Sequence, residues 1–275
     1  MECLQALVFS IILALVNASN STEPKISNGY TASRGQFPYL ASYQYRGEHF
    51  CGCSILNAEW LLTAAHCVDQ ALNLPREDLQ IVAGILKLYD SPPYRQTRQI
   101  LRQYKHPNYN GGISPNDIGL IRVKTPFNWS NDVNWIALPY ENREYEGLAV
   151  IAGWGYLRSS YPAPSVHLQY ARGGTIRENE CNSIVNQYGV AVDIRSICTI
   201  GYDAGNETSC KGDSGGPLVY PDYPNRPVQI GVMSWNLSPC GLNRSPSVST
   251  KVSRYIGWIV CRVQNDNVSP SAPCY

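Results

Sequence analysis

Three short segments carry the side chains best suited to making and breaking covalent bonds. Leu62-Thr63-Ala64-Ala65-His66-Cys67 places an imidazole directly before a cysteine, and Asn116-Asp117-Ile118-Gly119-Leu120-Ile121 places a carboxylate at the mouth of an apolar run. Cys210-Lys211-Gly212-Asp213-Ser214-Gly215-Gly216-Pro217 surrounds a serine with glycines. Each has a bland explanation alone: a core histidine, a turn-capping aspartate, a glycine turn. Together, in the order His, Asp, Ser, they match one of the chain orders known for nucleophilic acyl transfer. A serine hydroxyl attacks poorly at neutral pH until a base removes its proton, and an imidazole held by a carboxylate is such a base.

The elements available to position these groups are short and β-rich. The chain has 275 residues, 44% hydrophobic and 16% charged, enough apolar content to bury a core and too much for general disorder. Its formal net charge is +1 with no Lys/Arg run, which gives no electrostatic footprint for nucleic acid or an acidic membrane. β-type runs at 39–45, 50–56, 79–86, 117–123, 148–153, 228–235 and 247–252 are closed by Gly, Pro or Asn, the pattern of a barrel or sandwich. Helical patterns fall at 178–188 and 252–263. In the second, Val252, Tyr255, Ile256, Ile259 and Val260 line one face. Residues 264–275 are polar and Pro-containing and read as a loose tail. Leu4 to Val16 is apolar and ends in Val16-Asn17-Ala18, the form of a secretory leader too short to span a bilayer, although Glu2 stands where a basic residue is usual. Six N-x-Ser/Thr tripeptides, at Asn20, Asn128, Asn206, Asn236, Asn243 and Asn267, agree with a secreted, disulfide-bonded glycoprotein.

From Ile26 to about Val263 the sequence resembles the trypsin/chymotrypsin family of secreted serine endopeptidases, through the three motifs quoted above. The resemblance implies an all-β chain of two six-stranded antiparallel β-barrels with a C-terminal α-helix. Its expected organisation is a signal peptide (1–18), an activation propeptide (19–25), a peptidase domain (26–263, first barrel about 26–136, second about 137–263) and a tail (264–275). It implies His66 as general base, Asp117 as the group orienting it, Ser214 as nucleophile, and the N–H groups of Gly212 and Ser214 as an oxyanion hole. Ser234 resembles the family's serine that hydrogen-bonds the buried aspartate. Lys25-Ile26-Ser27-Asn28-Gly29 resembles an activation site, with Ser27 and Asn28 in place of the more usual Val and Gly. Cleavage after Lys25 would free the Ile26 ammonium to pair with Asp213.

Substrate selection is expected from Thr208, Ser209, Lys211, Ser234, Trp235, Asn236 and Ser247. Thr208 stands where trypsins carry Asp, so the pocket has no carboxylate at that position to neutralise a buried Lys or Arg. Asn236 and Ser247 occupy wall positions that are often Gly, which points to apolar residues of medium or small size. Chymotrypsin-like preference (Leu, Phe, Met) ranks ahead of elastase-like. A pocket that rejects Lys implies a separate trypsin-like activating protease; protein or peptide substrates and protein protease inhibitors are the expected partners. By the same resemblance Cys51–Cys67, Cys181–Cys198 and Cys210–Cys240 pair. Cys53, Cys261 and Cys274 remain, either as a Cys261–Cys274 staple with Cys53 buried or with one thiol bridging two molecules. No spacing suggests a metal site, and no cofactor is expected. A catalytically silent family member acting as a binding protein, and a narrowly specific peptidase of a cascade, are the rival functions.

Overall fold

The computed structural model describes residues 29–159, 161–202, 207–221, 226–268 and 273–274. The leader, the propeptide, Lys25, Ile26 and Asn206 lie outside the described residues. A short strand β1 (Tyr30–Thr31) leads into six strands: β2 (Leu40–Tyr45), β3 (Glu48–Ile55), β4 (Trp60–Thr63), β5 (Leu79–Ala83), β6 (Gln96–Lys105) and β7 (Gly119–Val123). These close into an antiparallel barrel in the order β2-β3-β4-β7-β6-β5. The second half holds β8 (Leu148–Gly153), a small hairpin of β9 (Tyr156–Arg158) and β10 (Tyr161–Pro164), then β11 (Gln169–Ile176), β12 (Ser196–Gly201), β13 (Pro217–Tyr220), β14 (Val228–Asn236) and β15 (Ser247–Lys251). Strands β8-β11-β12-β15-β14-β13 close a second antiparallel barrel through the β13–β8 pairing, and β1 adds to the edge of β11. The expected two-barrel fold is therefore present.

Burial explains why these runs form barrels. Tyr43, Ile55, Leu61, Leu79, Ile81, Ile100 and Ile121 fill the first interior; Ala149, Ile151, Ala171, Ile197, Leu218, Ile230 and Met233 fill the second. Each large side chain so removed from water contributes about 1.5–3 kcal/mol. A third apolar cluster joins Tyr39, Leu40 and Val82 of the first half to Ala152, Trp154, Leu168 and Val219 of the second, and so fixes one barrel against the other.

Among the described residues three α-helices accompany the strands: α1 (Ala65–Leu72), α2 (Glu178–Val185) and α3 (Ile256–Asn265). The periodicity at 178–188 and 252–263 corresponds to α2 and α3, each with a flanking 3-10 turn, at 186–188 and 252–254. Helix α3 sends Trp258 and Ile259 back into the first barrel's cluster.

The tail corrects the sequence expectation. Among the described residues beyond 263, Asp266 is fully buried and accepts hydrogen bonds from Tyr104, Arg102 and Arg122 on β6 and β7, and Cys274 is buried and bonded to Cys261. A polar composition misled because polarity here serves a buried ion pair. Burial pushes the Asp266 carboxyl up, but the Tyr104 and Arg122 hydrogen bonds and the Arg102 charge more than offset it, leaving it below the usual carboxylate range. Its stabilisation is therefore present above that range and is lost as the pH falls through the lowered value. Asp266→Asn is expected to cost about 1.5–3 kcal/mol, because it removes the charged acceptor that Tyr104, Arg102 and Arg122 share. Urea denaturation at pH 7 checks this, and the deficit relative to the parent chain should shrink under acid conditions.

Candidate active site

Strands β4 and β7 lie side by side with Thr63 opposite Gly119. His66, on the first turn of α1 just after β4, and Asp117, just before β7, therefore emerge at the same end of one strand pair. The Cys51–Cys67 disulfide ties that first turn to β3. Asp117 is 1% exposed, and its Oδ1 accepts the His66 backbone N–H at 2.8 Å while Oδ2 accepts from His66 Nδ1 at 2.8 Å. Ser234 on β14 donates to the same Oδ2, and Thr250 on β15 donates to the Asp117 carbonyl at 2.8 Å. With Nδ1 donating to a carboxylate, the neutral ring keeps its lone pair on Nε2 and can take a proton there.

The loop carrying Ser214 belongs to the second barrel but lies on the first. Gly52 N–H on β3 donates to the Ser214 carbonyl at 2.8 Å. A β-carbon at Gly52 would lie 2.9 Å from the Gly216 Cα, and one at Gly215 would collide with Thr63 Oγ1 and the Gly52 carbonyl and lie 3.1 Å from the Ala64 amide. Two glycine contacts thus bring the serine loop against the β4–α1 junction, two residues before His66. No Ser214–His66 hydrogen bond is formed among the described residues; such bonds are often long until substrate binds.

The peptides around Ser214 are held by their carbonyls. Lys211 C=O accepts from Tyr156 N–H at 2.8 Å, Gly212 C=O from His49 Nε2 at 2.9 Å, and Asp213 C=O from Gly216 N–H at 3.0 Å. A trans peptide points its N–H opposite its carbonyl. Anchoring Lys211 C=O and Asp213 C=O therefore fixes the directions of Gly212 N–H and Ser214 N–H, and neither has an acceptor among the described residues. Gly212 has φ +97°, a conformation that disfavours any side chain.

His49 was invisible as a site residue in the sequence. It is buried, its Nε2–H serves Gly212, and its Nδ1 accepts from Ser42, whose Oγ accepts from Gln44 at 3.0 Å. Burial lowers its pKa to about 4, so the ring is neutral at pH 7. Asp213 is likewise buried, and Gly155 N–H and Cys210 N–H donate to its carboxylate at 2.8 Å each. Burial raises that carboxyl to about 7 against those two hydrogen bonds. Glycines at 153 and 155 leave the space, since a β-carbon at either would strike the carboxylate.

The expected specificity residues gather around the Cys210–Cys240 disulfide. Asn236 and Ser247 face each other across β14 and β15. Ser247 Oγ accepts from Ser209 N–H at 3.0 Å, and Thr208 Oγ1 accepts from Gly241 N–H at 2.8 Å. Thr208, Ser209 and Ser247 are buried, Trp235 and Asn236 are half-buried, and Lys211 is exposed. Glu207, beside Thr208, is also buried and has an interaction of its own. Cys181–Cys198 and Cys261–Cys274 are bonded, and Cys53 is a buried free thiol donating to the Ala41 carbonyl. The one group of metal-ligand side chains among the described residues is Cys51, His66 and Cys67. Its two sulfurs form a disulfide and offer no thiolate, so it does not suit a metal ion.

A two-barrel chain with an aspartate-bound imidazole beside a glycine-flanked serine has the makings of a serine hydrolase site. Comparison with known proteins sharpens that class. The sequence matches the trypsin family over residues 26–259. It is 34% identical to lectizyme of Glossina austeni, with 94% of this chain and 96% of that protein aligned, and 34% identical to serine protease 1 of Canis lupus familiaris (90% and 96%). Rat transmembrane protease serine 9 is also 34% identical over 86% of this chain, which spans only 22% of that longer protein. The chain belongs to the trypsin family of serine proteases.

Gly155→Ala tests the packing around Asp213. Its β-carbon would displace the carboxylate and with it the Gly212–Ser214 backbone. Labelling of Ser214 by a fluorophosphonate, using protein cleaved after Lys25, is expected to slow at least about a hundredfold, the scale of losing one oxyanion donor.

Proposed function

We propose that the chain is a secreted serine endopeptidase, made as a zymogen, that hydrolyses peptide bonds after apolar residues. The observation that carries the reading is the Asp117–His66 pair, which leaves Nε2 basic beside the Ser214 loop. Nε2 takes the Ser214 proton as Oγ attacks the scissile carbonyl, then returns it to the leaving amine, giving an acyl-enzyme that water hydrolyses. Asp117, fixed by Ser234, stabilises the imidazolium. The N–H groups of Gly212 and Ser214 receive the developing oxyanion, each such donor lowering the barrier by roughly 3–4 kcal/mol. Ser214→Ala is expected to abolish both peptide hydrolysis and fluorophosphonate labelling while leaving the thermal unfolding midpoint near that of the parent chain. An unlabelled Ser214 in the cleaved parent protein would instead favour a silent, binding role.

Thr208, Asn236 and Ser247 support the apolar pocket, chymotrypsin-like ahead of elastase-like, and a peptide panel reads it directly. A dominant preference for Arg would overturn the assignment and direct attention to Glu207. Rejection of Lys implies that a separate trypsin-like protease makes the Lys25–Ile26 cut, and protein inhibitors of the family are further expected partners. The leader at residues 1–18 and four disulfides support secretion.

Activation is read from Asp213. A carboxyl raised from 3.8 to about 7 binds its proton more tightly in the folded than in the unfolded chain, so it costs stability increasingly as the pH rises through that window. An Ile26 ammonium supplied by cleavage after Lys25 removes that cost. The cleaved form is therefore expected to be about 2–4 kcal/mol more stable than the precursor at pH 7. The gap should narrow towards pH 4 and close again as the ammonium deprotonates at alkaline pH. Thermal unfolding of both forms across pH measures it; a gap independent of pH would contradict the pairing.

A further inference from the structure

Asp117 is aimed by its own backbone as well as by the partners of its carboxylate. Asn116, directly before it, has φ +67°, in the left-handed region that residues with a β-carbon seldom adopt and that asparagine tolerates best. Ile118 N–H returns to the Asn116 carbonyl at 2.8 Å, so Asp117 sits at the centre of a three-residue turn. Both polar ends of the buried Asn116 side chain are engaged. Nδ2 donates to the Asn108 carbonyl at 3.0 Å, and Oδ1 accepts from the Tyr255 hydroxyl at 3.0 Å. Tyr255 is buried and lies directly before α3, where the chain leaves β15 of the second barrel and packs onto the first barrel's cluster. Its ring meets the His106 ring edge-on at 5.2 Å, and His106 N–H donates to the Ile118 carbonyl at 3.0 Å. Burial pushes the Tyr255 phenol up to about 12, so it keeps its proton at neutral pH and donates it to Asn116.

We infer that Tyr255 is a positioning residue for catalysis, acting through Asn116 on the direction of the Asp117 carboxylate. The inference rests on the endopeptidase reading. The carboxylate accepts from the His66 N–H and from His66 Nδ1 at 2.8 Å each, and joined to both it has little freedom to make up for a turned backbone. A left-handed asparagine persists only while its surroundings determine it. Without the Tyr255 hydroxyl, Asn116 Oδ1 is buried with no donor among the described residues. It regains a partner only by rotating the side chain or by leaving the left-handed region. The second movement turns Asp117, because the Asn116 carbonyl and the Asp117 N–H share one peptide plane. Thr250, on β15 just before Tyr255, holds the Asp117 carbonyl from the other side. One stretch of chain thus fixes the backbone both before and after the aspartate.

The test uses protein cleaved after Lys25, at a temperature where thermal unfolding shows each variant folded. Tyr255→Phe keeps the ring and removes only the hydroxyl. It is expected to lower kcat on an apolar peptide substrate about tenfold with KM within about twofold, and to slow fluorophosphonate labelling of Ser214 by the same factor. The His66 Nδ1 proton, followed by NMR, should move upfield as its bond to Asp117 lengthens. Glycine adopts a positive φ without a partner, so in an Asn116→Gly background the same Tyr255→Phe change should cost less than about twofold. Asn116→Ala loses the same side-chain bonds as Asn116→Gly but resists the left-handed region, and should therefore have a kcat at least about fivefold lower than Asn116→Gly. That comparison decides the matter even if Tyr255→Phe does not fold. A folded Tyr255→Phe enzyme with the parent's kcat and His66 resonance overturns the inference and leaves the endopeptidase reading standing. So does a tenfold loss that persists in the Asn116→Gly background, or an equal kcat for Asn116→Ala and Asn116→Gly. Failure of the cleaved parent to label or to cut any peptide overturns the endopeptidase reading, and this inference with it.

Discussion

The Asp117 carboxylate is the constraint on which the rest of the site depends. A carboxylate at 1% exposure is tolerable only if donors replace the water it has lost. Here they come from both barrels: the His66 backbone and ring from the first, Ser234 from the second, with Thr250 of the second barrel holding the Asp117 carbonyl. Satisfying this one group therefore fixes the tautomer of His66 and the docking of β14 and β15 onto the β4–α1 junction together. The apolar cluster around Trp154 and Tyr39 brings the barrels into contact, but it is non-directional. The aspartate's hydrogen bonds supply the register that apolar packing alone does not.

Preorganisation of the serine loop follows a different logic, built from backbone and absent side chains. Three consecutive carbonyls are anchored, those of Lys211 and Gly212 on Tyr156 and His49 from elsewhere in the fold and that of Asp213 on Gly216 of the same loop. The donors Gly212 N–H and Ser214 N–H are left aimed and unspent. That arrangement needs glycines at Gly52, Gly155 and Gly215, where neighbouring backbone or a carboxylate already fills the place of a side chain. Positioning through backbone suits electrostatic stabilisation of a transient oxyanion, because little reorganises at the moment of reaction.

The sequence made the chemistry more legible than the architecture that holds it. His66, Asp117 and Ser214 stood out because their motifs are local, and β8 was read with its observed limits, 148–153, because its apolar run is short and bounded. Strand β6 was missed, since its alternating Gln, Arg and Thr face solvent and only Ile100 is fully buried. Strand β11 was hidden by Gly173 and Gly174, which weaken a β signal, although Gly173 lets Thr199 of β12 approach closely. His49 could not be recognised, because its function depends on Gly212, 163 positions away in sequence. The tail misled for the same reason, as Asp266 finds its cations on β6 and β7.

Three buried aspartates show how unequal satisfaction separates structural from responsive charge. Asp266 has two guanidinium groups and a phenol, and its carboxyl lies below the ordinary range. Asp117 is held by side chains and backbone from both barrels. Asp213 has only two backbone N–H donors among the described residues, and burial drives it to about 7. A carboxyl in that condition is either protonated or waiting for a cation, and the difference between those states amounts to several kcal/mol on the order of 1.4 per pKa unit. Because Asp213 is covalently continuous with Gly212 and Ser214, any cation that settles it also settles the peptide planes on either side. The under-satisfied carboxylate is thus the one placed where its charge state bears directly on the Gly212 and Ser214 N–H groups, whereas the well-satisfied Asp266 follows the C-terminal end of α3, away from that loop.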